Sequence, residues 1–483
     1  MLDDLIKERI KKGERLKAEG EVWFPATIKR THRLEEILKN FSALNKQKKT
    51  VTVVGRIFGS RNQGSLIFAD LKDESGAIQL VLKKDGVKNF ATIRDTLDIG
   101  DFVEATGKVF TTQSGQKSIE VSKLKIIVKA LRPIPSERFS IEDTETRLRK
   151  RYLDLLVHPE LRELFRKKST FWQTTRRYLL KEGFLEVETP ILEPIPGGAE
   201  AEPFITHHNA LNKDFYLRIS PELNLKRLMV AGFEKVFEIG RIFRNEGIDA
   251  EHLQDYTQME MYWAYQNYQG LMKFVEKLVK NVVKETLGTL TTVKKGIKIN
   301  WGKKWPRLEY CELFQKGTGM NLENASTHDL FKKARTLHIE HADEKLGRGR
   351  LIDLLYKKTV RPSLIQPSFL INPPVDIEPL AKRMMKNPNK VERFQIVAAG
   401  TELGKGFSEL NDPTDQRHRF EEQMKLRETG DKEAQMMDED YVEAMEYGMP
   451  PAAGFAYSER LFAILMDKPV RETVIFPLMK PKE

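Results

Sequence analysis

Between Glu234 and Tyr265 the chain reads EKVFEIGRIFRNEGIDAEHLQDYTQMEMYWAY. Its alternation predicts strand, loop and strand. Arg244 ends the first strand and is followed by Asn245, Glu246 and Gly247. The return strand carries Gln258, Glu260 and Tyr262 on one face and Met259, Met261 and Trp263 on the other. Gly240 and Ile242 share a face with Arg244, which leaves little bulk against its guanidinium. An arginine fork fixed beside a carboxylate and a phenol can hold a small zwitterion together with a phosphate. A surface hairpin with incidental charges is the plain alternative.

Other segments carry chemistry of the same kind. In Pro196-Gly197-Gly198-Ala199 the paired glycines either make a simple turn or let the backbone approach a ligand closely. In SPELNLKRLMVAGF, Ser220 is placed to cap a helix, with Pro221 at its first position. Glu222 then serves either the helix dipole or an ammonium group in a pocket. In the hairpin loop, Tyr256 is a packing aromatic or a platform for a purine, and His252 a phosphate contact or a loop cap. From Arg393 to Arg419, Glu402 and Glu409 flank a turn with Gly404 and Gly406. Hard carboxylate oxygens suit magnesium, and the glycines allow a bend that brings both acids around one site. In AGFAYSERLFAILMD, Ser458 is the expected N-cap and Arg460 projects from the first turn, toward an anion or toward solvent.

These groups need elements to position them. The chain has 483 residues, enough for two or three domains with real cores. No apolar run is long enough to span a bilayer. The first residues, MLDDLIKERIKKGERLKAEG, lack the apolar core of a secretory signal, and Cys311 is the only cysteine. A lone cysteine excludes an intrachain disulfide and a cysteine-rich zinc site, and fits a reducing, cytoplasmic setting. The net charge of +11 suits a polyanionic partner such as nucleic acid.

Residues 1–48 read as a basic helical extension. Residues 49–133 hold five short alternating strands divided by glycine turns, the pattern of an OB barrel that binds single-stranded nucleic acid. Phe68 and Gln79 are its candidate contacts, with Arg61 in the adjoining turn. Residues 134–150 form a linker that begins beside Pro133 and Pro135, and 151–483 form a second domain. There a helical stretch ends at Gly183, and FLEVETPIL follows as a strand broken by Pro190. Residues 270–390 look mostly helical, with strand-like breaks at GIKINWG and SLIQPSFLI. The charged run Thr327 to Thr359 marks a helical insertion near 311–365. A helix starts at Asp412-Pro413 and ends near Gly430.

Taken together, the segments resemble class II lysyl-tRNA synthetases over nearly the whole chain. FLEVETPIL, GRIFRNEGIDAEHLQDYTQME and GFAYSERLFAIL are similar to the three class II signatures. PGGAEAEPFITHHNAL, SPELNLKRL and GFSELNDPTDQRHRFEEQ are similar to segments specific to the lysine enzymes. The resemblance implies an α+β fold: an OB anticodon-binding barrel before a catalytic antiparallel sheet flanked by helices. It implies a homodimer that joins lysine to tRNA-Lys with ATP and Mg2+. Arg244 would hold the substrate carboxylate and the α-phosphate, and Arg460 the γ-phosphate. Glu246, His252 and Tyr256 would surround ATP. Gly198, Glu222, Glu260, Lys405 and Phe407 would line the amino-acid site, with Tyr262 and Glu409 on the side-chain ammonium. Glu402 would bind magnesium, Glu409 standing as a further possible ligand. Phe68, Gln79 and Arg61 would read the anticodon.

The chain departs from that family pattern in three places. Ala456 and Ser458 stand where glycines are usual, Gln395 where a second magnesium-binding glutamate is usual, and Lys405 where an asparagine is usual. These departures motivate a second reading, a non-catalytic or altered tRNA-binding paralogue. A sister enzyme for aspartate or asparagine is a third, against which the acidic pocket argues.

Overall fold

A computed structural model describes residues 2–22, 24–135, 143–247, 253–340, 342–343, 346–428 and 430–481. The chain forms two compact units, Met1–Glu142 and Asp143–Glu483. Among the described residues no helix is long and apolar enough to cross a membrane.

The first unit is a closed five-stranded barrel, built from Thr50–Gln63, Leu66–Lys72, Ala77–Lys83, Phe102–Thr111 and Lys117–Val128. Alternation sets its inside. Val51, Val53, Ile57, Ile67, Ala69 and Leu71 are buried. Phe68 stands opposite Arg61, and Gln79 opposite Asp70, so all three expected nucleic-acid contacts share the outer face. Arg61 lies in the first strand, not in the turn that was expected. That strand bends at a bulge between Ile57 and Gly59 and runs on to Gln63. A helix that alternation did not suggest, Phe90–Thr96, buries Phe90 and Ile93 beneath the barrel core.

The second unit is organised by an eight-stranded sheet. Its order is Arg307–Glu309, Ser368–Ile371, Arg393–Ala398, Thr401–Ser408, Ala452–Ser458, Asp255–Ala264, Lys235–Phe243 and Leu185–Glu186. Neighbours pair antiparallel except at the two edges, where pairing is parallel. The helices Glu160–Lys181 and Tyr268–Leu287 contribute Phe171, Leu179, Leu271, Val275 and Leu278 to one core with Met259, Met261, Phe394, Ile396, Phe455 and Tyr457 of the sheet. The hairpin's methionine face is thus the core face, which leaves Gln258, Glu260 and Tyr262 on the other.

Several elements differ from expectation for local reasons. FLEVETPIL forms only the short strands Leu185–Glu186 and Leu192–Glu193, since Pro190 offers no backbone donor. The linker contains a helix, Thr144–Arg149, whose N-cap Asp143 accepts from Thr146 N at 2.8 Å. Between 270 and 390 the helices Thr327–Thr336 and Arg348–Thr359 form. So do short strands at Thr291–Lys294, Arg307–Glu309 and Asn387–Val391, too brief and too charged to show a period-two pattern.

Candidate active site

Antiparallel pairing lays a row of side chains across the open face of the sheet. Gln395, Lys405, Ala456, Glu260 and Glu238 stand opposite one another on five adjacent strands. A slip of register between Ile396 and Val397 pairs Val397 with Glu402. That slip turns Glu402 to the same face, where its Oε2 accepts from Gln395 Nε2 at 2.8 Å.

Two adjoining chambers open on this row. The larger has a volume of about 130 Å³ and is lined by Arg244, Glu246, Tyr256, Glu402, Lys405 and Arg460, among others. The smaller is lined by Gly198, Glu222, Glu260, Tyr262, Lys405 and Phe407, among others. Eleven of the expected catalytic-domain residues therefore converge on one place: Arg244, Glu246, Tyr256, Glu402, Lys405, Arg460, Gly198, Glu222, Glu260, Tyr262 and Phe407. His252 lies outside the described residues. Phe68, Gln79 and Arg61 belong to the barrel unit.

Two arginines line the larger chamber. The Nε atoms of Arg244 and Arg460 are both buried without a hydrogen-bond partner among the described residues. Arg460 opens the helix Arg460–Leu465, and Ser458 Oγ accepts from its backbone N at 3.3 Å. The N-cap position itself is taken by Glu459, not by Ser458 as expected. The Arg244 guanidinium lies 5.7 Å from the centroid of the Tyr256 ring. Burial opposes the charge of Arg244, but Tyr256, Glu246 and Glu260 hold its pKa above the ordinary value. Gly240 does not serve to clear its approach: the space beside Gly240 is filled by the Arg218 guanidinium and by Glu238.

The smaller chamber gathers buried carboxylates on one side. Pro221 is the N-cap of the helix Glu222–Val230, so Ser220 sits one residue early. Its Oγ accepts from Glu222 N at 3.1 Å and donates to Glu260 Oε1 at 2.7 Å. Glu260 also accepts from Gln258 Nε2 at 2.7 Å and Tyr262 Oη at 3.0 Å. Glu222 faces inward and accepts from Lys226 Nζ at 2.6 Å, rather than serving only the helix dipole. Lys226 also pairs with Glu409, and its Nζ is 5.3 Å from the Phe407 ring centroid. Glu409 does not line the chamber directly; it lies behind, beside Gly454, and its Oε1 has no hydrogen-bond partner. Gly198 has φ +81°, and a Cβ there would lie 2.7 Å from Glu222 Cβ.

Burial lifts the Glu222 carboxyl to about 7, against the pull of Lys226, and lifts Glu260 and Glu409 as well. For Lys226 burial works the other way, yet Glu222 and Glu409 raise its pKa. Arg244 and Lys405 are the cations of the chamber lining, while behind it Glu409 keeps one oxygen, Oε1, without a hydrogen-bond partner among the described residues.

Glu402 is the carboxylate of the larger chamber on the sheet's open face that could hold a metal ion. One carboxylate together with substrate phosphates suits magnesium, which keeps several waters. The expected wider set does not form. Gln395 is a neutral amide that donates to Glu402, and Glu409 is engaged by Lys226. Among the described residues no group of three or more His, Cys, Asp or Glu is arranged around a common point.

Comparison with known proteins places this geometry. The model of class II tRNA synthetases (D, K and N) matches residues 143–480. The chain belongs to that family. A second model, the OB-fold nucleic acid binding domain, matches residues 51–127 of the synthetase. Its relatives include proteins named lysine–tRNA ligase. That of Roseiflexus castenholzii is 45% identical, with 100% of each chain covered. That of Carboxydothermus hydrogenoformans is 43% identical, covering 100% of this chain and 99% of the relative. That of Bacillus subtilis is 40% identical, covering 100% and 98%.

Sequence reasoning passed over several residues of this synthetase site. Lys226 carried a signal, since it follows Glu222 at i+4 on one helix. Gln258 was placed on the right face but given no role. Glu378, which pairs with Lys405 at 3.0 Å, lies outside any periodic element and carried none.

Proposed function

We propose that this synthetase is a lysine–tRNA ligase. The observation that carries the reading is the acidic side of the smaller chamber, where Glu222 and, behind the lining, Glu409 share the buried ammonium of Lys226. A lysine side chain would bring positive charge to that side. An aspartate side chain reaching toward Glu222 would meet a carboxylate, because the chamber's lining cations, Arg244 and Lys405, stand on the side shared with the larger chamber.

The chemistry needs no general base. The substrate carboxylate is ionised near neutral pH and attacks the α-phosphorus of ATP. A C–O–P bond forms, the bond to the β-phosphate oxygen breaks, and pyrophosphate leaves with the electron pair. Arg244 would hold the carboxylate and the α-phosphate, Arg460 the departing end, and Tyr256 the purine. Positioning and charge neutralisation supply the rate. Glu402 would hold a magnesium ion, which offsets phosphate charge when bound. The terminal ribose of tRNA-Lys then takes the lysyl group, and AMP leaves. The barrel face bearing Arg61, Phe68 and Gln79 would receive the anticodon, helped by the net charge of +11.

A homodimer fits the surface near the sheet edge. Leu185 on the edge strand and Leu180 on the helix before it are exposed, as are Ile191, Leu192 and Ile205 in the segments that follow. The lone Cys311 suits the cytoplasm.

The test is ATP–pyrophosphate exchange across all amino acids, followed by charging of transcribed tRNA-Lys. Lysine alone should support exchange, and Arg244→Ala and Arg460→Ala should abolish it. Exchange driven by aspartate, or by no amino acid, overturns the assignment.

A further inference from the structure

Four residues line both chambers: Arg244, Gln258, Lys405 and Ala456. Only Arg244 and Lys405 among them are charged. They come from opposite sides of the row, with the small Ala456 beside Lys405. Whatever joins the two chambers must pass between these two cations.

Lys405 is held in place from behind. Its Nζ lies 3.0 Å from Glu378 Oε2, and the same carboxylate pairs with Arg393 at 3.3 Å. One anion therefore faces two cations, and the trio keeps a net positive charge. The Glu378 side chain is 4% exposed and that of Lys405 is 36% exposed, so the ammonium is the member open to the chambers.

The metal side is correspondingly thin. The residue directly opposite Lys405 is the neutral Gln395, whose amide occupies one oxygen of Glu402. Glu402 and the ATP phosphates can share one divalent ion. A second such ion would find no other carboxylate beside Glu402 on the paired strands of Gln395 and Lys405, and would be repelled by the Lys405 ammonium.

We propose that Lys405, braced by Glu378, binds the α-phosphate in place of a second divalent cation, so that the site takes one such ion per ATP. This rests on the ligase reading above for the reaction it serves, but not for the count of ions. It also accounts for Gln395 and Lys405 standing on paired strands: the amide removes a metal ligand where the ammonium supplies the charge.

The experiment counts metal without turnover. The full chain is saturated with α,β-methylene-ATP, and bound Mn2+ is measured by electron paramagnetic resonance. One Mn2+ per chain is expected, rising to two in Gln395→Glu/Lys405→Asn. Two ions in the unaltered protein, or one in both proteins, overturns the proposal. Analogue affinity gives a second readout. Lys405→Gln should weaken it by about tenfold or more, and Lys405→Arg should restore most of it; unchanged affinity in Lys405→Gln overturns the proposal. Since neither measurement needs lysine, failure of lysine-dependent exchange would overturn the ligase reading and leave this one standing.

Discussion

The Nζ of Lys226 lies 2.6 Å from Oε1 of Glu222, one helical turn away, and the same fully buried ammonium pairs with Glu409. A protein built to bind an ammonium thus keeps one of its own among the acceptors. The arrangement stabilises the empty pocket, because two ionised acids with no partner would be costly in so dry a place. Lys226→Met removes that partner and should destabilise the second unit by about 3–5 kcal/mol, the usual cost of breaking a buried ion pair. Denaturant unfolding measures it; a loss below about 1 kcal/mol, the worth of a surface pair, would contradict the burial argument.

Gly454 sets the width of the smaller chamber, proposed above to take lysine. A Cβ at this position would lie 2.5 Å from Tyr262 Cε1 and would also strike Glu409 Oε1. Gly454→Ala should therefore raise KM for lysine by at least about tenfold while KM for ATP changes little. An added methyl in packed surroundings costs roughly 1–3 kcal/mol. Steady-state exchange kinetics with each substrate varied in turn give the answer, and equal changes in both KM values would refute it.

Lysine binding should release a proton near neutral pH. Burial moves the Glu222 carboxyl from its ordinary 4.5 to about 7. A carboxyl raised in this way favours the fold while protonated. That contribution to stability is complete below pH 4.5 and is lost as pH rises through 7. Ligand affinity runs in the opposite sense, because the incoming ammonium selects the ionised form. Affinity should fall by about tenfold per pH unit below 7, as one bound proton requires. Calorimetric titration in buffers of different ionisation enthalpy reads the proton directly. Glu222→Gln should abolish the release; an unchanged release would place the titrating group elsewhere.

On the barrel, Phe68→Ala and Gln79→Ala should raise KM for tRNA and leave lysine-dependent exchange untouched. Loss of one stacked base costs about 1–3 kcal/mol, or roughly fivefold to a hundredfold. Charging assays at constant salt test this, and parallel losses in exchange would show that the effect is on folding.

Much of this is legible in the sequence alone. The five barrel strands show in a plain period-two pattern, and the hairpin's two faces follow from methionine alternating with Gln, Glu and Tyr. The residues of the chambers were legible one by one, through their types and the motifs around them. Their partners were harder. Glu378 reaches Lys405 from 27 residues away in the chain, a closure no local pattern encodes. The slip that turns Glu402 to the open face was foreseen only as a bend at glycines. Short strands such as Arg307–Glu309 exist because the sheet offers them an edge, not because of their own propensity.

The row Gln395–Lys405–Ala456–Glu260–Glu238 runs across the strands, so each of its members belongs to a different strand. On the proposals above, a ligand lying on it would have its functional groups inspected by separate stretches of chain: phosphate charge at Lys405, amino-acid polarity at Glu260. Variation confined to one strand can then retune one end of the ligand and leave the other end's geometry intact. Such division of labour lets a lineage exchange metal for ammonium at one end without renegotiating its choice of amino acid at the other.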